Sequence, residues 1–387
     1  MIPRCYWPIV SGAIPTLAVG MLAPKALLAG YVRAALAFAD GRSSWSAIAA
    51  GYPDLGPASL LVLAGAGHVV HTERAIVILL ALFGTGIILM AAWIVARAVG
   101  TPWSSAAIAL NPGLMLVNGL LGPFDLAGAL LIAVATIALV RDRLAFAWLA
   151  SISAIAFTTA PIAFIPLVLV APLLRRGAEG RRAWRASFFG ALAGLVVLSA
   201  AGGAFGSSFH PVEVLAWLFA HYPNGFTSYH FSSSGAFNVY ALFGQMWHPE
   251  DSMAGPLPLA AWGYLAFAVI VALIVRRVMR ANKRAEIPLA AFLIMFALFI
   301  FAPRVYPAQM AYATMLVPLT LKLDRRAIAA ALLLAITLAL NALMLAYNVS
   351  VPLLEHALAL VNVACFAGAA YLYLGSPSNR SWCSRLF

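Results

Sequence analysis

Long apolar runs separated by short polar connections dominate this chain, and several of the runs extend over about 17 to 25 residues. A helix of that length crosses the hydrocarbon core of a bilayer. The pattern therefore predicts an all-α polytopic membrane protein with about twelve spans, and a single transmembrane domain covering residues 1–387. The predicted spans are 7–29, 75–96, 104–121, 125–140, 144–158, 161–174, 187–205, one between 256 and 276, 287–302, 308–321, 327–347 and 352–374.

Two stretches between these spans are long and mixed in polarity, residues 30–74 and 206–256. In the first, Tyr31 and Arg33 begin a short amphipathic helix that Asp40-Gly41 closes, and an apolar stretch follows at 58–70. That stretch is too short for a confident crossing. We predict that both helices lie at the outer membrane surface, as juxtamembrane helices in the first long outward loop.

Charge distribution sets the expected orientation. Hydrophobic residues make up 64% of the chain and charged residues 9%, so a soluble fold is excluded. Short loops between spans hold most of the Lys and Arg residues, and one topology puts 19 of the 24 inside. The net charge of +12 is then explained by membrane insertion, with no nucleic-acid partner required. Both termini are expected in the cytoplasm. The same topology puts all seven histidines outside: His68, His71, His210, His221, His230, His248 and His356.

Three outward carboxylates are the candidate catalytic groups, Asp40, Asp54 and Asp125. Each also has a structural interpretation. Asp40 precedes a glycine in a turn-forming pair. Asp54, ahead of the 58–70 helix, and Asp125, at the start of a span, are both suited to accept hydrogen bonds from free amides as helix N-caps.

Aromatic, hydroxyl and amide side chains crowd residues 221–240, where Tyr229, His230 and Asn238 lie. Aromatic faces stack on sugar rings, and amides and hydroxyls bond their edges. The alternative is an interfacial aromatic belt with no ligand. Arg304, in Pro303-Arg304-Val305-Tyr306, is an outward cation suited to holding a phosphate, or to snorkelling to the membrane surface.

Four motifs in order resemble the GT-C superfamily, specifically its polyprenyl-phosphate-dependent hexosyl or mannosyl transferases. They are Tyr52-Pro53 before a short apolar helix, Gly122-Pro123-Phe124-Asp125 between spans, Phe237-Asn238-Val239-Tyr240-Ala241-Leu242 after a long loop, and the Arg304 turn. The resemblance covers Trp7 to about Leu321. The sequence departs from the family pattern at three places. Pro123 stands where the family usually has glutamine, and residues 25–30 lack the usual acid. Residues 306–312 stand where the family has His-Glu-Arg-Tyr.

The resemblance implies transfer of a sugar, a hexose such as mannose, from a polyprenyl-phosphate donor to a hydroxyl of a lipid or glycan acceptor. The reaction would take place at the extracytoplasmic face of a bacterial-type inner or plasma membrane. Asp54 or Asp40 would act as base and Asp125 as a second carboxylate that orients the sugar or the base. The phosphate would be held by Arg304 with Arg74 or His230. Tyr52, Tyr229 and Asn238 complete the expected substrate-binding set. The resemblance implies no particular cofactor and leaves room for a divalent cation, although no metal-ligand motif is present.

Two other functions fit the same sequence. The altered motifs suit a catalytically inactive assembly or lipid-binding partner that keeps the fold. A transporter of small molecules or lipids would need polar groups or broken helices within the membrane, and Asn111, Asn341 and Asn362 are the candidates for that role.

Overall fold

The computed structural model describes residues 7–22, 28–41, 44, 55–175, 177–203, 211–227, 231–281, 283–320 and 326–375. It is 82% helical, in keeping with an all-α membrane protein. The helices are α1 Trp7–Leu22, α2 Leu28–Ala39, α3 Pro57–Val69, α4 Glu73–Val99, α5 Pro102–Ala109, α6 Pro112–Leu116, α7 Phe124–Val140, α8 Leu144–Ile155, α9 Ile165–Val170, α10 Gly177–Gly203, α11 Pro211–Thr227, α12 Val239–Leu242, α13 Leu259–Ala281, α14 Ile287–Phe301, α15 Met310–Leu316, α16 Arg326–Ala346 and α17 Pro352–Gly375. Short 3-10 turns cover Ala160–Phe164, Ala171–Leu174, Arg284–Glu286, Pro307–Gln309 and Val317–Thr320, and a two-stranded hairpin pairs β1 Met253–Ala254 with β2 Leu257–Pro258.

Seven helical segments in the described part of the chain are long and apolar enough to cross a membrane. They are Glu73–Val99, Trp103–Leu121, Gly177–Gly203, Leu259–Ala281, Arg284–Phe301, Ile328–Ala346 and Pro352–Gly375. The prediction of a helical membrane protein is confirmed at this level. Shorter apolar helices overlap the other predicted spans, so the count of twelve stays a prediction.

The predicted span 104–121 is interrupted at Asn111-Pro112. α5 ends at Ala109, and the Asn111 side chain accepts a hydrogen bond from the Leu114 amide at 3.1 Å to start α6. A π-helical turn, Val117–Leu121, follows directly. Proline cannot donate a backbone bond inside a helix, so the chain restarts with an asparagine cap at this point.

α10 begins at Gly177, ten residues before the predicted span at 187, so the basic residues that we placed in a loop before that span are helical. The first turns carry Arg181, Arg182 and Arg185. Arginine is a good helix former, and its long side chain reaches water from a helix end. Basic residues therefore mark the end of the span without ending the helix.

Asp142 joins three connections at one end of the bundle. Asp142 lies just after α7. Its carboxylate pairs with Arg175, which follows the 3-10 turn at the end of α9. It also pairs with Arg284, which precedes α14, at a distance of 2.8 Å. The pairing places the end of α7 beside the start of α14. The opposite ends of these two helices, near Asp125 and Arg304, therefore face the other side of the bundle. We call the Asp142 side the basic end.

Residues 231–258, here the covering segment, are held onto the bundle by two buried asparagines. The Nδ2 of Asn341 in α16 donates to the Gly235 carbonyl at 2.6 Å, and its Oδ1 accepts from the Phe237 amide at 3.2 Å. Asn362 in α17 donates to the Phe237 carbonyl at 2.8 Å. A backbone turn that enters an apolar bundle needs such partners, because unpaired amides there are costly.

We expect Asn341→Ala to lower the free energy of unfolding by roughly 2 to 4 kcal/mol, because two buried backbone groups lose their partner. Thermal unfolding and limited proteolysis of the covering segment measure the effect. Asn348→Gly is the matched control, since Asn348 is exposed and has a φ of 50°, which glycine tolerates. Equal protease sensitivity of the two variants would contradict this account of how the segment is held.

Candidate functional site

A cavity of about 550 Å³ lies at the end opposite the basic end, between α9, α13, α14 and the covering segment. Much of its wall is apolar, with contributions from Ile162, Ala163, Pro166, Phe267 and Leu298. Polar and aromatic side chains complete the wall: Tyr31, Ser234, Trp247, Tyr264, Arg304, Tyr306 and Gln309. The cavity therefore offers both hydrocarbon contact and a group of hydrogen-bonding partners.

Arg304 lies on the cavity wall in a constrained backbone conformation. Its φ is 63°, in the left-handed region that arginine rarely adopts. Its amide donates to the Ser232 carbonyl at 3.1 Å, and the covering segment pairs with the next residue, Val305. The guanidinium makes a bidentate pair with Glu250; the two side chains are 17% and 11% exposed. The covering segment thus supplies the carboxylate that holds the Arg304 side chain in place.

Asp125 lies behind the wall, 3% exposed. Pro123 is the N-cap of α7 and makes no side-chain cap bond, so the alternative that Asp125 caps this helix is wrong. Asp125 instead lies in the first turn, where the helix dipole favours a carboxylate. It accepts a hydrogen bond from the Tyr306 hydroxyl. Because Tyr306 lines the cavity, it connects the buried carboxylate to the space in front of it.

A second tyrosine supports Asp125 from within the bundle. Tyr312 in α15 is fully buried and interacts electrostatically with Asp125, and its phenol oxygen lies 2.6 Å from the Thr158 hydroxyl. A Cβ at Gly128, one turn after Asp125, would lie 2.2 Å from this phenol oxygen. The glycine is therefore needed for the close approach of α7 and α15, which keeps Tyr312 and Asp125 together.

The first long loop is anchored to the same region. Leu55 pairs with Thr158, and the Gly56 amide donates to the Phe157 carbonyl at 2.8 Å. His221 in α11 is buried, and its Nε2 lies 2.8 Å from the Leu55 carbonyl oxygen. Burial lowers the pKa of His221 from its ordinary value, and the hydrogen bond to Leu55 opposes that shift.

Because the pKa of His221 is lower in the folded state, acidification should destabilise the folded protein. Above the ordinary value of 6.5, folded and unfolded His221 are both neutral. As the pH falls through that value, the unfolded state gains a proton that the folded state takes up only at lower pH, so the free energy of unfolding decreases. We expect His221→Gln to flatten the dependence of the melting temperature between pH 7.5 and 5.5. His356→Gln, an exposed site, is the control, and an identical pH dependence in wild type and His221→Gln would contradict the prediction.

The structure brings together two of the predicted site residues, Arg304 and Asp125, through Tyr306. Asp40 is exposed just after α2, where it forms the expected turn with Gly41, whose φ is 66°. Arg74 is exposed in the first turn of α4. Neither Asp40 nor Arg74 belongs to the cavity wall.

Asn238 is fully buried as the N-cap of α12, accepting from the Tyr240 and Ala241 amides at 3.1 and 3.3 Å. It has a structural role and does not line the cavity. Four further predicted residues, Tyr52, Asp54, Tyr229 and His230, lie outside the described part of the chain. The N-cap residue of α3 is Gly56.

Sequence reasoning missed Glu250, Tyr306, Tyr312 and Trp247 as parts of this region. The sequence did hold a signal for Glu250, because it is an acid in the segment 206–256, and a buried carboxylate needs a cationic partner. Tyr306 adjoins Arg304 in sequence and was noted only as part of a departure from the family pattern. Tyr312 and Trp247 carry no signal in a single sequence, because their partners are distant in the chain.

Among the residues that the structure describes, no three or more His, Cys, Asp or Glu side chains are grouped closely enough to hold a metal ion. No protein-family model matches the sequence, and no curated protein is significantly similar to it.

Proposed function

We propose that this protein transfers a hexose, with mannose as one candidate, from a polyprenyl-phosphate donor to an acceptor hydroxyl at the extracytoplasmic membrane face. The observation that carries the proposal is the cavity, in which an apolar wall adjoins a cation and a buried carboxylate linked by a tyrosine. A lipid-linked sugar phosphate has the same sequence of properties: hydrocarbon, anion, polyhydroxyl ring. The motif resemblance to GT-C transferases supports the same reading.

The apolar wall suits the first isoprene units of the donor. Ile162, Pro166 and Phe267 contribute to it, and Ile162 is 39% exposed. We place the lipid tails of the bilayer next to this side of the cavity. A polyprenyl chain could therefore extend from the bilayer past Ile162 into the cavity while its phosphate remains at the polar end.

Arg304 is the proposed phosphate-binding residue. Guanidinium groups bind phosphate through two parallel hydrogen bonds, and this site is shielded from water. Glu250 now occupies one face of the guanidinium. A leaving phosphate would bind beside that pair or displace Glu250, and its developing charge would be stabilised by the arginine.

Asp54 is the first candidate for the base, since Leu55, the next residue, pairs with Thr158, whose hydroxyl contacts Tyr312 beside Asp125. Asp40 is the second candidate. In either case the carboxylate would take the proton of the acceptor hydroxyl as that oxygen attacks the anomeric carbon.

The contacts of the membrane asparagines weaken the transporter alternative. Asn341 and Asn362 hold the covering segment, and Asn111 caps α6. These are structural roles, so the polar groups that suggested a translocation path are already used. The inactive-partner alternative differs from our proposal only in activity, so an assay separates them.

The test is transfer of radiolabelled sugar from polyprenyl-phosphate mannose or glucose in proteoliposomes that contain the purified protein and membrane-extracted acceptors. We expect transfer with one of these donors, and a loss of about 100-fold or more in either Asp54→Asn or Asp40→Asn at equal protein abundance. If wild type binds the donor without transferring it, the inactive-partner alternative is favoured. If it neither binds nor transfers, the proposed function is wrong.

A further inference from the structure

We infer that Tyr306, through its hydrogen bond to Asp125, makes the cavity select the sugar-bearing lipid over the bare polyprenyl phosphate left after transfer. The inference rests on the proposed function and adds to it a residue that determines specificity. Tyr306 would accept a hydrogen bond from a sugar hydroxyl, while Arg304 holds the phosphate in both lipids.

The position of Tyr306 sets which group it can meet. It lies in the extended linker between α14 and the Pro307–Gln309 turn, with φ −122° and ψ 163°, and follows Arg304 by two residues. Both side chains line the cavity. A ligand whose phosphate is bound at Arg304 therefore brings the group next to the phosphate, the sugar ring, within reach of the neighbouring phenol.

The direction of the Tyr306–Asp125 bond sets what the phenol can do. A carboxylate is an acceptor only, so the Tyr306 hydroxyl donates to Asp125. With its proton directed to Asp125, the phenol oxygen meets a ligand as an acceptor. Donation to a charged group in a dry environment also strengthens the acceptor character of the same oxygen.

Burial of Asp125 keeps this arrangement in place. Asp125 is 3% exposed, so water has little access with which to replace the Tyr306 hydroxyl. Tyr312 lies beside the same carboxylate, and its own oxygen is 2.6 Å from the Thr158 hydroxyl. The Tyr306 hydroxyl therefore cannot turn toward the cavity as a donor without leaving a buried carboxylate with one hydrogen bond fewer, which is costly.

The two lipids differ in the group offered to this acceptor. A sugar presents hydroxyl donors, whereas a polyprenyl phosphate monoester presents anionic oxygens that are mainly acceptors. The Tyr306 oxygen, whose proton is directed to the Asp125 carboxylate, is repelled by phosphate oxygens because both are acceptors. The same oxygen accepts a hydrogen bond from a sugar hydroxyl, which is favourable. Tyr306 thus favours the donor before transfer and disfavours the spent carrier after it.

The test compares dissociation constants of undecaprenyl-phosphate mannose, undecaprenyl-phosphate glucose and bare undecaprenyl phosphate in nanodiscs. We expect Tyr306→Phe to reduce the preference for the better sugar-bearing lipid by about fivefold to tenfold, the effect of one hydrogen bond, and to leave binding of the bare lipid no weaker. Tyr240→Phe is the control. Its hydroxyl donates to the Phe301 carbonyl at 3.1 Å, outside the cavity wall, so the preference should not change.

The outcomes separate the inference from the proposed function. If wild type binds a sugar-bearing lipid and Tyr306→Phe retains the full preference, the inference is overturned and the proposed function stands. If wild type binds none of the three lipids, the proposed function fails and the inference with it.

If Tyr306→Phe does not fold, monodeoxy-sugar analogues of the donor are titrated into wild type. A loss of fivefold or more for one deoxygenation supports the inference, and losses below twofold at every position overturn it.

Discussion

Asp125→Ala is expected to lower sugar transfer by at least about 100-fold and the free energy of unfolding by about 2 to 3 kcal/mol. The substitution removes the acceptor of the Tyr306 hydroxyl and a charge that interacts with the buried Tyr312, so a phenol hydroxyl in the bundle loses its partner. It also removes the charge that orients the tyrosine on the cavity wall. Transfer rates in proteoliposomes and thermal unfolding in detergent measure the two effects.

Asp142→Ala is the matched control, because it removes an aspartate from the other end of the same helix. Asp142 pairs with Arg175 and Arg284, but its side chain is 38% exposed. Exposed pairs contribute at most about 1 kcal/mol each, so we expect a small loss of stability and transfer within about twofold of wild type. Equal losses of transfer in the two variants would show that Asp125 has no special role.

Arg304→Gln is expected to weaken binding of bare polyprenyl phosphate by roughly tenfold or more, because the cavity loses its cation. It should also lower the free energy of unfolding by about 3 kcal/mol, at the low end for breaking a buried pair, since Glu250 loses its bidentate partner. Glu250→Gln should destabilise the protein comparably while keeping the phosphate affinity, because the positive charge remains. Lipid titration of both variants reports the effect of the Arg304 charge on phosphate binding. Thermal unfolding of both variants reports how much the Arg304–Glu250 pair contributes to holding the covering segment.

Arg74→Gln completes that comparison. Arg74 was a sequence candidate for the same role, but it is exposed at the start of α4 and outside the cavity wall. We expect little change in stability or phosphate affinity. If Arg74→Gln weakens phosphate binding and Arg304→Gln does not, the phosphate site is not in this cavity.

Local sequence signals predicted the helices and several of their ends correctly. The break at Asn111-Pro112 and the turn at Asp40-Gly41 follow from the chemistry of proline, asparagine and glycine, which acts over a few residues. The start of α10 was misplaced, because a basic loop and a basic helical turn have the same composition. Helix length alone also did not settle how many of the shorter apolar segments cross the membrane.

Candidate residues were identified by type, but their partners were not. Asp125 and Arg304 were chosen as an acid and a cation at outward positions. The contacts that define them come from Tyr306 and Glu250, which are separated from Asp125 and Arg304 by 181 and 54 residues. Asn238 was chosen from an aromatic and amide-rich stretch and is a helix cap, because the same amide chemistry serves a backbone as well as a sugar. The pattern of hydrophobic and polar positions in a single sequence does not indicate which distant side chains are in contact.

The attachment of the covering segment also determines when this protein can become functional during synthesis. Gly235 and Phe237 leave the ribosome well before their partners, since Asn341 lies 106 residues after Gly235 and Asn362 lies 125 residues after Phe237. At bacterial or eukaryotic elongation rates that interval is roughly 5 to 25 s. During that time the backbone groups of Gly235 and Phe237 have not yet met the asparagine side chains that pair with them in the folded protein. A nascent chain that stops before α16 would thus carry every residue of the Asp125 network and still lack a closed cavity.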